Sequence, residues 1–557
     1  MASFAHPGVY VQEVSSGVHS IEGVSTSTAA FIGVTDKGPV PGTTLPTGQP
    51  ARAALVNGFT EYQRVFGGFR NDSFLTYAAR AFFDNGGRSL YVVRVTGAGA
   101  ARATSGAGGF PFAVSALNEG LWGDNIWLQI DFSGDFTPPA SPPSSPPAPG
   151  PTTFRLTVMY ADTTDFRVAQ RNVVEVYDGV AIAPADLTAP LPANYVGTVV
   201  NRQSEYIAIT ARVTTLPVPA PAANGSSWNP TRLSGGADGA APASYTGAAS
   251  PDGVVAGTGL FALDKITDVN LIAIPGVGDG QTINAAVEYC KFTRPLQDCF
   301  FIGDVGSLDA ASARRDGAAP SVVTVAQAKA FATAGTPALD RSAGDYGALY
   351  FPWIAAADPI GTGRNPRILL PPSGYVAGIY ARTDNARGVF KAPAGTEAGL
   401  AGALAPAVAI GDLEQDSLNP NGVNAIRVVP GSGLVVWGAR TFASDTEWRY
   451  VPVRRMAIFL RTSLYYGIQW AVFEPNDEPL WASLRLNIRS FMLTQFRAGA
   501  FQGAKPDDAF FVKCDASTTT QQDIDNGVVN ILVGFAPLKP AEFVVLKLSQ
   551  KVNQPAA

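Results

Sequence analysis

The sequence predicts a multi-domain α/β chain, and three observations carry that reading. The chain has 557 residues, 46% of them hydrophobic and 15% charged, enough for several buried cores at roughly 100–200 residues per domain. Between residues 236 and 435, strand-like and helix-like runs alternate, the pattern of a parallel sheet with crossover helices. Between 101 and 235 the text changes to short β-type runs broken by Pro, Gly and Asn clusters, which predicts a β-rich insertion.

In chain order, Val9, Tyr10, Val11, Gln12, Glu13 and Val14 read as a strand, followed by a Gly/Ser-rich connector through Gly17 and Gly23. Together they make residues 1–28 an N-terminal arm and linker. Residues 29–100 open the core: a buried-type strand from Ala29 to Val34, then SFLTYAARAFFDN with Phe74, Tyr77, Ala78, Ala81 and Phe82 at helical spacing. Gly86 and Gly87 suit a left-handed helix end, and SLYVVRV follows as the next strand.

In the insertion, 101–235, β-type runs cover 125–130, 154–159 and 206–210. Residues 138–151, PPASPPSSPPAPGP, hold eight prolines in fourteen positions, a composition that favours extended polyproline II and cannot pair as sheet. In 236–435, Val269 to Ile274, Ile283 to Phe292 and Cys299 to Ile302 read as a βαβ unit. In 436–540 helices lead. Residues 479–497 place Trp481, Leu484, Ile488, Phe491, Met492 and Phe496 on one face, with Asn476 or Asp477 as cap and Pro479 in the first turn. Residues 541–557 form a C-terminal arm with strand-like Phe543, Val544, Val545, Leu546, Lys547 and Leu548.

Composition and motifs argue against most chemistry. A net charge of −5 without a basic run offers no footprint for nucleic acid. No apolar run approaches the ~18 residues that a membrane span needs, and no secretory signal is expected at the start. Cys290, Cys299 and Cys514 form no CxxC pair, which suits buried thiols in a chain folded in a reducing cytoplasm.

Pro275-Gly276-Val277-Gly278-Asp279-Gly280 sits where a dinucleotide loop would, but Gln281 replaces the third glycine, so a plain strand-to-helix turn is expected. Asp416 to Gly422 resembles a calcium loop, yet Leu418 and Pro420 occupy ligand positions. The two histidines, His6 and His19, lie in the first twenty residues, and there is no G-x-S-x-G elbow. The expectation is a non-enzyme with no catalytic, cofactor or metal residues.

Several segments together resemble the contractile tail sheath family of phages and phage-tail-like injection systems. They are PGVYVQEVSSGVHSIEGVSTSTAAFIGVTDKGP, AFFDNGGRSLYVVRV, LNEGLWGDNIWLQI, LSGGADG, GLFALDKITDVNLIAIPG and ALYFPWI. Most specific are PPSGYVAGIYARTDNARGVFKAPAG at 371–395 and GARTFASDTEWRYVPVRRM at 438–456. The Pro-rich loop is the main departure.

The resemblance implies a subtilisin-like α/β core without catalytic residues over 236–435, an outward β-rich insertion, and an α+β inner sheath domain over 436–540. It also implies terminal arms that add strands to neighbouring subunits in stacked hexameric rings. Val9 to Val14 and Phe543 to Leu548 would be those strands, with Gly17 and Gly23 as a hinge between them and the body. Arg485, Arg489 and Arg497, on the polar side of the 479–497 helix, would face acidic groups on a tube.

The partners implied are further copies of the chain, an inner tube protein, and baseplate and tail-terminator proteins. No nucleic acid, membrane insertion or cofactor is implied. Assembly is expected in a bacterial cytoplasm, in a phage tail or released particle. An injection system is the favoured setting, with an infectious phage tail as the alternative and a subtilisin-like hydrolase as the reading from another class.

Overall fold

The apolar runs AAFIG, LYVVR, LIA, FFIGD and GALYF become strands of one sheet, buried on both faces as parallel sheets are. The structure is a computed structural model. It describes residues 20–106, 110–132, 153–186, 188–215, 230–251, 253, 255–308, 310, 313, 322–362 and 364–543. The expected strand Val9 to Val14, Gly17, the whole Pro-rich stretch 138–151 and Val544 to Leu548 lie outside these residues. The chain divides into two units, one of Ser27–Thr383 with Pro393–Arg449, the other of Met1–Thr26, Asp384–Ala392 and Tyr450–Ala557.

In the larger unit the sheet has eight strands. Their order is Gly433–Val436, Val423–Val429, Gly347–Phe351, Phe300–Asp304, Leu271–Ala273, Ala29–Gly33, Leu90–Arg94 and Ala54–Val56. The six inner strands pair in parallel and the two outermost pair antiparallel. The predicted helix over 73–85 is Leu75–Asp84. Its end is closed by Gly87 N–H donating to Phe82 O at 2.9 Å, with Gly86 at φ +112° where a β-carbon would press on Arg382.

From Ala29–Gly33 the chain first moves to one neighbour, Leu90–Arg94, and later returns to the other, Leu271–Ala273. In open α/β sheets the crevice beyond the strand ends at such a reversal is where ligands bind. Here it is filled. Phe74 packs against Gly276, and its ring meets Trp353 edge-on at 5.1 Å. The glycine-rich stretch is a strand-to-helix turn: Asp279 caps the helix Gly280–Glu288, accepting from Thr282 N–H at 2.8 Å. Gly278 passes so close to the Asp304 and Gly306 backbone that no side chain fits.

At the same strand ends, Asp304 and Ser373 are 1% and 0% exposed. Asp304 accepts from Ser373 N–H at 2.7 Å, Ser373 Oγ–H at 2.8 Å and Gly276 N–H at 3.0 Å. Burial outweighs these bonds and pushes its carboxyl up to about 6. In a place closed to solvent, this serine and carboxyl brace three segments together.

The β-rich insertion contains a four-stranded sheet in the order Val173–Ala181, Thr153–Tyr160, Ile126–Phe132, Thr231–Arg232. A strand pair, Val114–Ala116 with Ile207–Ile209, and a helix, Val196–Gln203, complete it around its own apolar cluster. Lys37, just after the core strand Ala29–Gly33, points its ammonium at the rings of Tyr206, Trp122 and Tyr160 at 4.8, 5.7 and 5.8 Å. This cation–π contact fastens core to insertion.

The smaller unit is built on two helices, Val451–Gly467 and Glu478–Arg497. Asp477 caps the second, accepting from Leu480 N–H at 3.2 Å, while Asn476 is used by Trp481 Nε1–H at 2.9 Å. The predicted apolar face, Trp481 through Met492, is buried, with Phe496 partly so. The unit's longest segment runs from Tyr450, and the unit takes in 384–392 as well. The reason is side-chain chemistry: Asp384 is held by Arg455, and Val389 and Phe390 join the cluster of Met456, Phe459 and Ile488.

Candidate assembly site

In the smaller unit, FFVK at Phe510–Lys513 and LVGF at Leu532–Phe535 pair antiparallel, with Phe510 opposite Phe535 and Val512 opposite Val533. Strand alternation sends these four side chains into the apolar cluster on the two helices. Phe511, Lys513, Leu532 and Gly534 take the other face, where Phe511 and Leu532 are 46% and 52% exposed. Gly534 leaves room for the Phe511 ring, which lies where a β-carbon would be.

Among the described residues neither strand pairs with a third. A two-stranded sheet is marginal alone in water, and among the described residues no third strand covers either outer edge. Sequence reasoning did not single out this sheet. Its signal was two short apolar runs without a hairpin turn between them.

The first and last described residues, Ser20 and Phe543, both belong to this unit. At the C-terminal end of the described residues, Tyr450 Oη–H donates to Glu542 at 3.2 Å and Phe543 is 76% exposed. At the N-terminal end, the connector expected to hinge is docked from Ile21 onward. Ile21 is buried against Met456, Phe459 and Leu460. Gly23 passes beside Phe459, where a β-carbon would come to 2.9 Å of the ring, and Val24 N–H donates to Ser463 Oγ at 3.1 Å. Gly23 therefore serves close packing in this structure, and Ile21 was the overlooked signal inside a polar connector.

Of the three predicted tube-facing arginines, two are engaged within their own unit. Arg485 donates to Glu478 at 2.6 Å and to Cys514 O. Arg489 donates to Asp507 at 2.8 Å and lies 5.8 Å over the Phe510 ring. Arg497 ends its helix in solvent. The Arg489–Asp507 pair is half-exposed or more on both sides, so it adds at most ~1 kcal/mol. No helix among the described residues is long and apolar enough to cross a membrane, and no carboxylate, thiol or imidazole cluster among them fits a metal.

Two family models match the chain: the phage tail sheath protein central domain over 252–442 and the phage tail sheath C-terminal domain over 443–551. A tail sheath protein of Burkholderia phage BcepMu is 32% identical over 195 residues, 34% of this chain and 40% of that protein. The chain spans less than half the length of the curated relatives it matches, between 26% and 44%.

Solved structures align end to end. The sheath of an extracellular contractile injection system, PVC, in the contracted state has a TM-score of 0.55 at 21% identity and 99% coverage of both chains. The contracted helical sheath of the anti-feeding prophage has a TM-score of 0.52 at 20% identity, covering 99% of this chain and 100% of that one. At these identities the likeness shows a shared fold. The two family models together run from 252 to 551, more than half the length, and the chain belongs to the phage tail sheath family.

Proposed function

We propose that this chain is the repeating subunit of a contractile sheath, stacked as hexameric rings around an inner tube that contraction drives through a target envelope. The observation that supports this reading is a sheet with only two strands among the described residues, in the unit that holds both Ser20 and Phe543. Val9 to Val14 of one copy and Phe543 to Leu548 of another add strands to its edges. Main-chain bonds give strength and alternating side chains set register. About five bonds at ~0.5–1.5 kcal/mol each give roughly 3–7 kcal/mol per arm before side-chain burial.

Contraction then exchanges a sparse set of contacts between copies for a denser set while the strands stay paired. The bending point of the tether is the stretch before Ile21, including Gly17, because Ile21 to Thr26 is docked. Arg485, Arg489 and Arg497 grip acidic groups of the tube, the first two by exchanging their ion pairs with Glu478 and Asp507. A phage-tail-like injection system is the setting we favour, with an infectious phage tail as the alternative.

Negative-stain microscopy of the full chain beside one lacking residues 1–16 tests the proposal. The full chain is expected to form hollow helical tubes and the truncated chain none. Equal tube formation by both would overturn it.

A further inference from the structure

The chain passes between its two units four times, after Thr26, Thr383, Ala392 and Arg449. Residues near three of these passages meet in one buried cluster. Asp384 and Arg455 have side chains only 3% and 4% exposed. Arg455 Nη1 donates to Asp384 Oδ1 at 2.9 Å, and its Nη2 donates to Oδ2 at 2.5 Å and to Thr26 O at 2.8 Å. Thr26 Oγ–H donates to Asp384 Oδ2 at 2.7 Å.

From there the strap runs backwards along the helix Val451–Gly467. Thr26 sits at Arg455, Val24 at Ser463, and Ile21 closes on Gly467. The lengths agree. Five residue steps of extended chain cover ~17 Å, and the helical rise from 455 to 467 is ~18 Å.

We infer that this strap, pinned by the Thr26–Asp384–Arg455 cluster, is the anchor that takes tension from residues 1–19 into the helix Val451–Gly467. The inference rests on the reading that those residues engage a second copy. An extended strap lying along a helix meets a lengthwise pull in shear, so its contacts resist together and do not peel one by one. Without the pin, the pull passes through residue 27 to Ala29–Gly33, a central strand of the core sheet. The ion pair also fixes register, since Thr26 supplies both its hydroxyl and its carbonyl to the cluster, a role for which buried ionic groups are retained.

Two full-length variants test the anchor. Asp384→Leu with Arg455→Met removes the pair as a pair and leaves no orphaned charge. Thr26→Val with Ser463→Ala removes two strap bonds and keeps the ion pair. Both are expected to fold, to show ~10-fold faster amide exchange over 21–26, and to build tubes that break on passage through a narrow needle while parent tubes survive. Shear-resistant tubes from chains with a fast-exchanging strap would overturn the inference, as would unchanged exchange in both variants. Undiminished tubes from a chain lacking residues 1–19 would instead overturn the arm reading beneath it.

Discussion

Asp304→Ala is expected to destabilise the larger unit by about 3–5 kcal/mol, measured as the urea midpoint of Trp353 fluorescence. The carboxylate receives three donors from two segments: Gly276 N–H in the turn after Leu271–Ala273, and the N–H and Oγ–H of Ser373 at the start of the helix Ser373–Arg387. Alanine leaves all three donors buried without an acceptor, and each such group costs ~1–3 kcal/mol. Relief from burying a charge returns part of that. Trp353 reports directly, since its Nε1–H donates to Val305 O at 3.2 Å, one residue beyond Asp304.

The same carboxyl sets a pH dependence. Its value is raised from 3.8 to about 6 on folding, chiefly by burial. Between those values the folded chain holds a proton that the unfolded chain has lost. Stability from this group is therefore complete below about pH 4 and falls as pH rises through about 6. Asp304→Asn cannot ionise, so the parent should lose stability relative to this variant across pH 4–6. A constant difference would mean the carboxyl does not titrate there.

Arg455→Ala is expected to cost the smaller unit a similar ~3–5 kcal/mol, because it strands the Asp384 carboxylate in a buried site with Thr26 Oγ–H as its remaining partner described here. Differential scanning calorimetry should show a transition lowered by several degrees. Asp384→Leu with Arg455→Met should restore most of that loss, since a buried pair replaced by apolar groups of like volume is near neutral. If the single and the double variant unfold alike, the cost lies in packing and not in the orphaned charge.

Sheet strands and helix ends were legible where chemistry is local. Runs such as AAFIG and FFIGD announce a sheet buried on both faces, and Gly86 and Asp477 mark helix ends by rules that span a few residues. The helix Ser373–Arg387 was hidden, because its first nine residues are all buried and leave no amphipathic stripe. Asp304 and Ser373 are 69 positions apart and Thr26 and Asp384 are 358 apart, so no local pattern betrays either cluster. The open sheet escaped because its two strands are four residues each and far from a hairpin.

Strand addition between copies is tested most directly by mixing two differently substituted chains and oxidising the assembled tubes. One population carries one added cysteine at a position from 9 to 14, the other Phe511→Cys or Leu532→Cys, beside the three buried native cysteines. The account predicts disulfide-linked dimers joining the two populations, strong at every second arm position because side chains alternate across a strand, and coming from whichever edge receives the arm. Tubes that yield no such cross-links at any arm position, at either edge, would contradict it.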